Sequence, residues 1–405
     1  MELVTFRTQS TAPEVRGREI GLRFSAEIAR SAQLYLDLYR TKGIPDAVVA
    51  RVIRGSREAL ADWDPEQFAE LSAMAEAAAS VRGRAGGENA GSGERGLGRG
   101  AFTGLDAVLA VTARTEVLAT AGRAGLGECS TAVLLPPGNA MPWTLQTWDW
   151  YADLVPQGLV LDYTSAAGVG VRTFTEFGAP AKIGINAAGL GVHFNILHHA
   201  SDHGGGGVPV HAVARRVLDH AQTVAEAVEI ARSAPVSASS VLTVVTREPD
   251  AVSIELCPDG VGVVRPWTGG ADPGTRVLLH TNHFLDPELA RGDRATAKLT
   301  AERYAHLQAR SHELTVPERA QYGAGGAVAG RSGQEPTERE RRDAARAEFA
   351  AALCGPDGAG APICMRPVPG GAPEEQGETL LTVSLDVERG EMDCFAGDPE
   401  EYARS

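Results

Sequence analysis

A series of short, strand-forming segments separated by Gly, Pro or Asn constrains the fold of this chain most strongly. It begins directly after Cys129 with STAVLLP and continues through WTLQTWDW, GLVLDYT, GVRTFTEF and KIGINAAGLGVHFNIL. Two helical segments follow, PVHAVARRVLDHA and TVAEAVEIARSA, and then the strands SSVLTVVT, AVSIEL and GVGVVRP. Strands that are grouped apart from helices favour antiparallel sheets layered with helices.

Helical patterns flank these strands. Apolar residues recur at helical spacing in six segments, at 25–40, 45–60, 64–82, 103–120, 296–312 and 337–353. Asp64 followed by Pro65 is typical of a helix start. The Gly-rich, charged segments 83–100 and 323–341 predict surface loops. The C-terminal segment TLLTVSLDVERGEMDCFAG predicts a hairpin.

Composition and charge argue against several classes of protein. The 405 residues are 43% hydrophobic and 22% charged, which is ordinary for a globular protein with a sizeable core. The net charge of −14 argues against a nucleic-acid partner. The sequence has neither an apolar run that could span a bilayer nor the pattern of a signal peptide. We therefore expect a cytoplasmic protein that binds neither nucleic acid nor membrane.

The cysteines indicate a reducing compartment. Their number is odd and no pair has CxxC spacing, which argues against a disulfide framework or a zinc ribbon; they are Cys129, Cys257, Cys354, Cys364 and Cys394. Cys129 stands directly before Ser130 and Thr131, at the leading end of a strand. It is either a small buried hydrophobic residue or a nucleophile open to a cleft. The segment QTWDW (146–150) is placed to return beside it as an antiparallel partner.

Three further motifs would indicate other functions. Gly91, Gly93 and Gly96 formally match a dinucleotide-binding fingerprint, but the strand and helix that this motif needs are missing around them. A GxSxG elbow is absent, so a serine hydrolase is not supported. A histidine cluster comprises His193, His198, His199, His203 and His211. It lacks the acid of HExxH and favours a polar loop, which leaves a metal-dependent hydrolase as a minor alternative.

Ordered motifs along the chain carry a family resemblance. CSTAVLLPPGNAMPWTLQTWDWY resembles the start of a β-subunit, and ARTEVLA precedes it like an Arg-Thr-Glu segment before a cleavage site. The remaining matching segments, in order, are RGREIG at the start and then KIGINAAGLGVHFNIL, GVPVHAVARRVLD, ASSVLTVV, HTNHFL and PICM. Together these motifs resemble the acyl-CoA:6-aminopenicillanate acyltransferase-like (C45) family of N-terminal-nucleophile hydrolases, over most of the chain.

The resemblance implies a fold and a maturation step. The fold is α+β, a four-layer αββα arrangement with two antiparallel sheets between helical layers. The maturation step is autocatalytic cleavage of an inactive precursor between Glu128 and Cys129. It would leave an α-fragment, 1–128, and a β-fragment, 129–405, which remain associated as one catalytic domain. Cleavage would place an α-amine beside the thiol, and that amine can act as its base.

The resemblance also implies catalytic roles for four residues. Cys129 is the nucleophile that forms an acyl-enzyme with an amide or thioester substrate. Asn282, in HTNH, takes an oxyanion-type role. Asp149 is the acidic residue near the nucleophile and would orient its amine. Ser239 matches a serine near the site, although the adjacent Ser240 fits the alignment as well.

Substrate binding is predicted from aromatic and basic positions. Trp148, Trp150 and Tyr151 are candidates for an acyl pocket, with core packing as the alternative. The family's late arginine, which holds a substrate carboxylate, has no direct equivalent, since Met365 aligns with it and Arg366 is one position away. Penicillin is therefore not predicted as the substrate.

Several alternatives stay open at this point. The outcome is hydrolysis or acyl transfer, depending on whether water or an amine reaches the acyl-enzyme. No metal or resident cofactor is expected, and a coenzyme A thioester is one candidate acyl donor. Glu128 stands where the penicillin enzyme type has Gly, which bears on the processing rate. The second functional class is an unprocessed, non-catalytic relative that acts as a small-molecule binding or assembly protein.

Overall fold

Two β-sheets face each other in this computed structural model, which describes residues 1–88, 102–121, 128–138, 140–295, 298–317, 336–371 and 376–405. The eight-stranded sheet has the spatial order β1 (Glu2–Arg7), β4 (Gln157–Thr164), β5 (Gly170–Thr175), β6 (Ile183–Asn186), β7 (Leu190–Ile196), β8 (Ser240–Thr246), β9 (Ala251–Cys257) and β10 (Gly260–Val264). The six-stranded sheet has the order β11 (Trp267–Thr268), β12 (Arg276–His280), β2 (Glu128–Leu135), β3 (Trp143–Trp150), β13 (Glu378–Asp386) and β14 (Glu391–Phe395).

Helices cover the outer faces of both sheets. The described helices are α1 (Pro13–Arg23), α2 (Ser25–Thr41), α3 (Asp46–Trp63), α4 (Pro65–Glu88), α5 (Leu105–Thr112), α6 (Arg114–Ala119), α7 (Val210–His220), α8 (Val224–Ser233), α9 (Lys298–Ser311), α10 (Glu338–Cys354) and α11 (Pro399–Arg404). Helices α7 and α8 pack on the eight-stranded sheet, whereas α9 and α10 pack on the six-stranded sheet. The α+β class and the αββα layering predicted from the sequence are thus confirmed. No helix in the described ranges is both long and apolar enough to cross a bilayer.

The structure differs from the sequence predictions at several places: strands β11 and β12 and helix α11 were not predicted, and β1 and α4 differ as follows. Strand β1 was not predicted, and it pairs in parallel with β4, so the eight-stranded sheet is not wholly antiparallel. Its six residues at a sheet edge acquire their hydrogen-bond partners only from a strand about 150 residues away. Helix α4 continues to Glu88, although a loop was predicted from residue 83. The remaining part of that loop, with Gly91, Gly93 and Gly96, lies outside the described residues.

The predicted pairing of the strand after Cys129 is confirmed. Strands β2 and β3 are antiparallel neighbours, with Cys129 opposite Trp148. On the same face of β2, Thr131 Oγ1 donates a hydrogen bond to Asn195 Oδ1 at 2.8 Å. Because Asn195 lies on β7, this face of β2 looks into the space between the two sheets. Local strand patterning therefore places the cysteine side chain in the centre of the molecule.

The close contact of α1 with α4 depends on glycine. A Cβ atom at Gly17 would lie 2.1 Å from the backbone oxygen of Glu70. We expect Gly17→Ala to lower the free energy of unfolding by about 1–3 kcal/mol, because the helices must separate. This loss opposes the gain of about 1 kcal/mol that alanine brings to a helix. Urea denaturation followed by circular dichroism measures the difference. Gly360→Ala, where a Cβ would meet nothing within 4 Å, is the control; equal stability of both variants would contradict the prediction.

Candidate active site

The thiol of Cys129 is buried between the two sheets. Its side chain is 1% exposed and belongs to the core that fills the intersheet space. Burial raises the pKa of this thiol to about 12, and the charge of Lys182 and hydrogen bonds from the Asp149 backbone and the Gln146 side chain offset this only in part. The thiol is therefore protonated in the uncut chain, and it needs a base before it can attack a carbonyl.

Asn282 and Arg303 hold the backbone around the cysteine. The N–H of Cys129 donates to Asn282 Oδ1 at 2.8 Å, and Asn282 Nδ2 donates to the carbonyl oxygen of Ile196 at 2.8 Å. Arg303 donates to the same Asn282 oxygen at 2.9 Å, to Ser130 Oγ at 2.9 Å and to the carbonyl oxygen of Cys129. Since a guanidinium only donates, the shared atom of Asn282 must be its oxygen. The amide orientation is thus fixed by its neighbours.

The turn after β12 positions Asn282. Strand β12 ends at His280, and Thr281 and Asn282 follow in an irregular segment. The N–H of Asn282 donates to Thr300 Oγ1 at 2.8 Å, and Asn195 Nδ2 donates to the carbonyl oxygen of Thr281 at 3.1 Å. Contacts from helix α9 and strand β7 therefore hold the turn from both sides.

Asp149 lies beside the bond that the sequence predicts to be cut. It is directly opposite Glu128 in the register of β2 and β3. Thr379 Oγ1 donates to Asp149 Oδ1 at 2.6 Å, whereas Oδ2 has no hydrogen-bond partner among the described residues. Burial raises the pKa of this carboxyl to about 7, against the lowering effect of hydrogen bonds from Thr379 and Thr147. One oxygen of Asp149 is thus available to a further hydrogen-bond donor.

Of the aromatic candidates Trp148 lies opposite Cys129, and the basic candidate, Arg366, is paired elsewhere. Trp148 is the cross-strand partner of Cys129. Trp150 is buried on the same strand, and its ring centroid is 5.7 Å from that of Tyr151. Arg366 forms an ion pair with Asp398, the N-cap residue of α11. In this conformation its guanidinium is occupied by the C-terminal helix.

Ser239 is hydrogen-bonded to Asp202 and to the residue that follows β7. Its Oγ donates to Asp202 Oδ1 at 2.6 Å, and its carbonyl oxygen accepts from the N–H of Leu197 at 3.2 Å. Leu197 directly follows Ile196, whose carbonyl holds Asn282. Ser239 therefore contacts the end of β7, and hydrogen bonds connect it to Cys129 through Leu197, Ile196 and Asn282.

The five candidate metal-binding histidines have separate surroundings. His193 Nδ1 hydrogen-bonds Gln146 Oε1 at 3.2 Å, and the ring of His211 lies 4.7 Å from that of Phe194. Burial lowers the pKa of His193 to about 3, so its imidazole is neutral. Across the ranges that the structure describes, no three His, Cys, Asp or Glu side chains are grouped to hold a metal ion. The histidine-rich segment is thus distributed between the core and a surface turn.

Sequence reasoning missed two cationic residues at this site. Arg303 lies on α9, in a helix that carries no recognisable motif. Lys182 immediately precedes β6 and is 1% exposed, with Nζ 4.0 Å from the ring centroid of Trp148 and 5.7 Å from that of Phe194. Lys182 begins the quoted motif KIGINAAGLG, so a signal was present in the sequence. Burial lowers the pKa of Lys182 to about 7.

Comparison with known proteins gives one family. The family model described as acyl-coenzyme A:6-aminopenicillanic acid acyl-transferase matches residues 137–322, which include Asp149, Asn282 and Arg303 and begin after Cys129. The 40 kDa form of acyl-coenzyme A:6-aminopenicillanic-acid-acyltransferase from Emericella nidulans is 28% identical over 192 residues, 47% of this chain. The match spans 50% of that curated relative, about half of its length.

A solved structure, penicillin V acylase from Agrobacterium tumefaciens, is similar at 17% identity with a TM-score of 0.34, over 66% of this chain and 83% of that one. The family model and the curated relative confirm the resemblance that the ordered motifs predicted. Over residues 137–322, this chain is therefore similar to the acyl-coenzyme A:6-aminopenicillanic acid acyl-transferase family.

Proposed function

We propose that this chain is a self-processing enzyme that uses Cys129 as an N-terminal nucleophile to cleave or transfer the acyl group of a small-molecule amide or thioester. The hydrogen bond from the Cys129 N–H to Asn282 Oδ1 carries the proposal. In the uncut chain this nitrogen is an amide. After cleavage the same nitrogen becomes an α-amine that is already held beside the thiol.

Self-cleavage is an N-to-S acyl shift followed by hydrolysis. The thiol of Cys129 attacks the carbonyl carbon of Glu128, and the C–N bond breaks as the nitrogen gains a proton. Water then hydrolyses the thioester, which leaves a carboxylate on Glu128 and a free thiol and amine on Cys129. The two fragments, 1–128 and 129–405, stay together because buried contacts join them.

Substrate turnover repeats this chemistry with the new amine as the base. A free α-amine has a pKa of about 8 and is partly neutral at physiological pH. It takes the thiol proton, the sulfur attacks the substrate carbonyl, and the protonated amine then gives its proton to the leaving group. The second Nδ2 hydrogen of Asn282 would stabilise the oxyanion. The available oxygen of Asp149 would orient the amine.

Surrounding side chains suggest how a substrate is held. Trp148 and Trp150 would form an aromatic wall for the acyl group. Arg366 would have to release Asp398 in order to hold a substrate carboxylate. Five free cysteines, Cys129 among them, fit a cytoplasmic setting. Whether water or an amine accepts the acyl group depends on which of them reaches the acyl-enzyme. A coenzyme A thioester is one candidate donor of the acyl group.

Trapping of the acyl-enzyme tests this function. The protein is mixed with p-nitroanilides and coenzyme A thioesters of alkyl and arylacetic acids, quenched in acid, and analysed by intact mass. We expect an adduct of the acyl mass on the fragment that begins with Cys129. Added glycinamide then separates transfer from hydrolysis, since it yields a new amide only if an amine is accepted. Turnover that EDTA abolishes, without any acyl adduct, would contradict the proposal and favour the metal-dependent alternative.

Asn282→Ala should impair both steps. The variant loses the acceptor for the Cys129 nitrogen and a donor for the oxyanion, so we expect kcat/KM to fall about 100- to 1,000-fold. Uncut precursor should accumulate for the same reason. Gln308→Ala, which removes an exposed amide side chain on α9, is the matched control. Near-wild-type kcat/KM in Asn282→Ala would rule out the oxyanion role.

A further inference from the structure

The uncut chain lacks the base that the mature enzyme would use. Before cleavage the nitrogen of Cys129 belongs to the peptide bond with Glu128, and an amide nitrogen does not accept a proton at neutral pH. Burial keeps the thiol protonated. The proposed self-cleavage therefore needs a different group to take the thiol proton, and this inference rests on that proposed function.

Lys182 is placed to act on the thiol. Its Nζ lies 4.0 Å from the ring centroid of Trp148, and Trp148 is directly opposite Cys129. Residues directly opposite each other in an antiparallel pair share one face of the sheet, with Cβ atoms about 4.5–5.5 Å apart. The Lys182 nitrogen thus packs on the cross-strand neighbour of Cys129, and each of the two groups shifts the pKa of the other.

We propose that Lys182 is the base that accepts the thiol proton of Cys129 during self-cleavage. The neutral amine takes the proton, and the sulfur forms a bond to the carbonyl carbon of Glu128. The resulting ammonium gives the proton to the departing nitrogen of Cys129 as the C–N bond breaks. Water hydrolyses the thioester, so Lys182 returns to its starting state and no co-reactant other than water is consumed.

The surroundings of Lys182 favour a neutral amine. Burial and the charge of Arg114 on α6 lower the pKa of Lys182 to about 7, and the charges of Glu176 and Cys129 oppose this shift. The charges of Arg114 and Lys182 add to burial in lowering the pKa of His211 on α7. The fraction of neutral amine is therefore large near neutral pH, unlike that of a lysine in water.

Other basic groups nearby are poorer candidates. Burial lowers the pKa of His193 to about 3, so that imidazole accepts a proton only weakly. Arg114 and Arg303 are guanidinium groups, which do not give up their proton in proteins. Among the 38 basic residues of the chain, lysine occurs only at positions 42, 182 and 298. A chain that uses arginine nearly everywhere thus has a residue that can lose its proton beside the predicted nucleophile.

The test follows processing of freshly translated precursor in a cell-free system, with intact mass at timed intervals. Lys182→Met removes the base, and Lys182→Arg retains the positive charge but cannot accept a proton. We expect both variants to form the 129–405 fragment at least about 100-fold more slowly than wild type. Lys42→Met, at a half-buried lysine whose Nζ is 6.0 Å from the Tyr151 ring, is the control and should process normally.

The outcomes separate this inference from the proposed function. If wild type cleaves and Cys129→Ala does not, the proposed function stands; wild-type rates in both Lys182 variants would then overturn the role of Lys182. Fast processing of Lys182→Arg, with slow processing of Lys182→Met, would also overturn the role of Lys182 as a base. A positive charge at this position would then be enough for cleavage. If wild type itself never cleaves, the proposed function fails first.

A pH profile of wild-type processing tests the base even if the Lys182 variants do not fold. A base with a pKa near 7 gives a rate that rises with pH and becomes constant above about 7. A rate that rises tenfold per pH unit up to pH 9 would mean that the thiolate forms without this base, and would overturn the proposal. Asp149 has a similar pKa. In the Asp149→Asn variant the processing rate should still become constant above about pH 7. If this plateau is lost in Asp149→Asn, the base is Asp149 and not Lys182.

Discussion

Replacing Cys129 by alanine is expected to leave one uncut polypeptide with neither acylase nor acyltransferase activity. In the proposed mechanism the thiol is the attacking group both in self-cleavage and in substrate turnover, so no partial activity should remain above the background rate. Alanine fits the buried space at the end of β2 and keeps the backbone hydrogen bond to Asn282. The variant should therefore fold, as circular dichroism and thermal unfolding would establish.

A second cysteine provides the matched control for this substitution. Cys257 is buried on β9, in a small cluster with Leu197, Val241 and Phe284, away from the intersheet site. Cys257→Ala should process and turn over substrate normally. Two fragments from Cys129→Ala, or activity lost equally in both variants, would contradict the assignment of the nucleophile.

Replacing Glu70 by alanine is expected to be the most destabilising change that does not touch the proposed nucleophile. Glu70 accepts hydrogen bonds from Arg16 Nε at 3.0 Å and from Arg215 Nη2 at 2.8 Å, and all three side chains are at most 2% exposed. Arg215 also donates to Asp219 at 2.9 Å. Arg16 and Glu70 belong to the predicted α-fragment and Arg215 to the predicted β-fragment, so this ion network joins the two pieces.

The expected loss follows from leaving buried cations without their carboxylate. Removing one partner of a buried ion pair typically costs about 3–5 kcal/mol. Burial raises the pKa of Glu70, but the charges of Arg215 and Arg16 outweigh it and lower the pKa overall. The contribution of Glu70 is therefore present above the carboxyl pKa of the unfolded chain and is lost as pH falls through the lower folded value.

Urea denaturation and size-exclusion chromatography of the processed protein measure this effect. Glu70→Ala should unfold at lower urea concentration, and its two fragments should elute separately where those of wild type elute together. Glu66→Ala, an exposed carboxylate one turn earlier on α4, is the matched control. Co-elution and unchanged stability of Glu70→Ala would show that other contacts suffice to join the fragments.

Local patterns in the sequence were enough for most of the fold. Alternating and β-branched residues predicted the strands from β2 to β10, and the position of QTWDW predicted that β3 returns beside β2. Asp64 was predicted to start a helix, and its Oδ1 accepts the N–H of Gln67 at 3.0 Å. Each of these features depends on residues that are close together in the sequence, so a short segment is enough to predict it.

Contacts between residues that are far apart in the sequence could not be predicted from such local patterns. Arg303 holds the carbonyl of Cys129 across 174 residues, from a helix whose sequence only indicates a helix. Asn282, 153 residues from Cys129, was found because HTNH resembles a family motif and not because its position could be derived. Lys182 stood in a quoted motif, yet its importance depends on burial against Trp148, which only the fold shows.

The most direct test of the central claim is the intact mass of the purified wild-type protein under denaturing conditions, together with the first residue of the larger fragment. The proposed mechanism predicts two chains, 1–128 and 129–405, with the larger one beginning at Cys129. A single chain of 42.4 kDa would contradict it, because Cys129 would then have no free α-amine to act as its base.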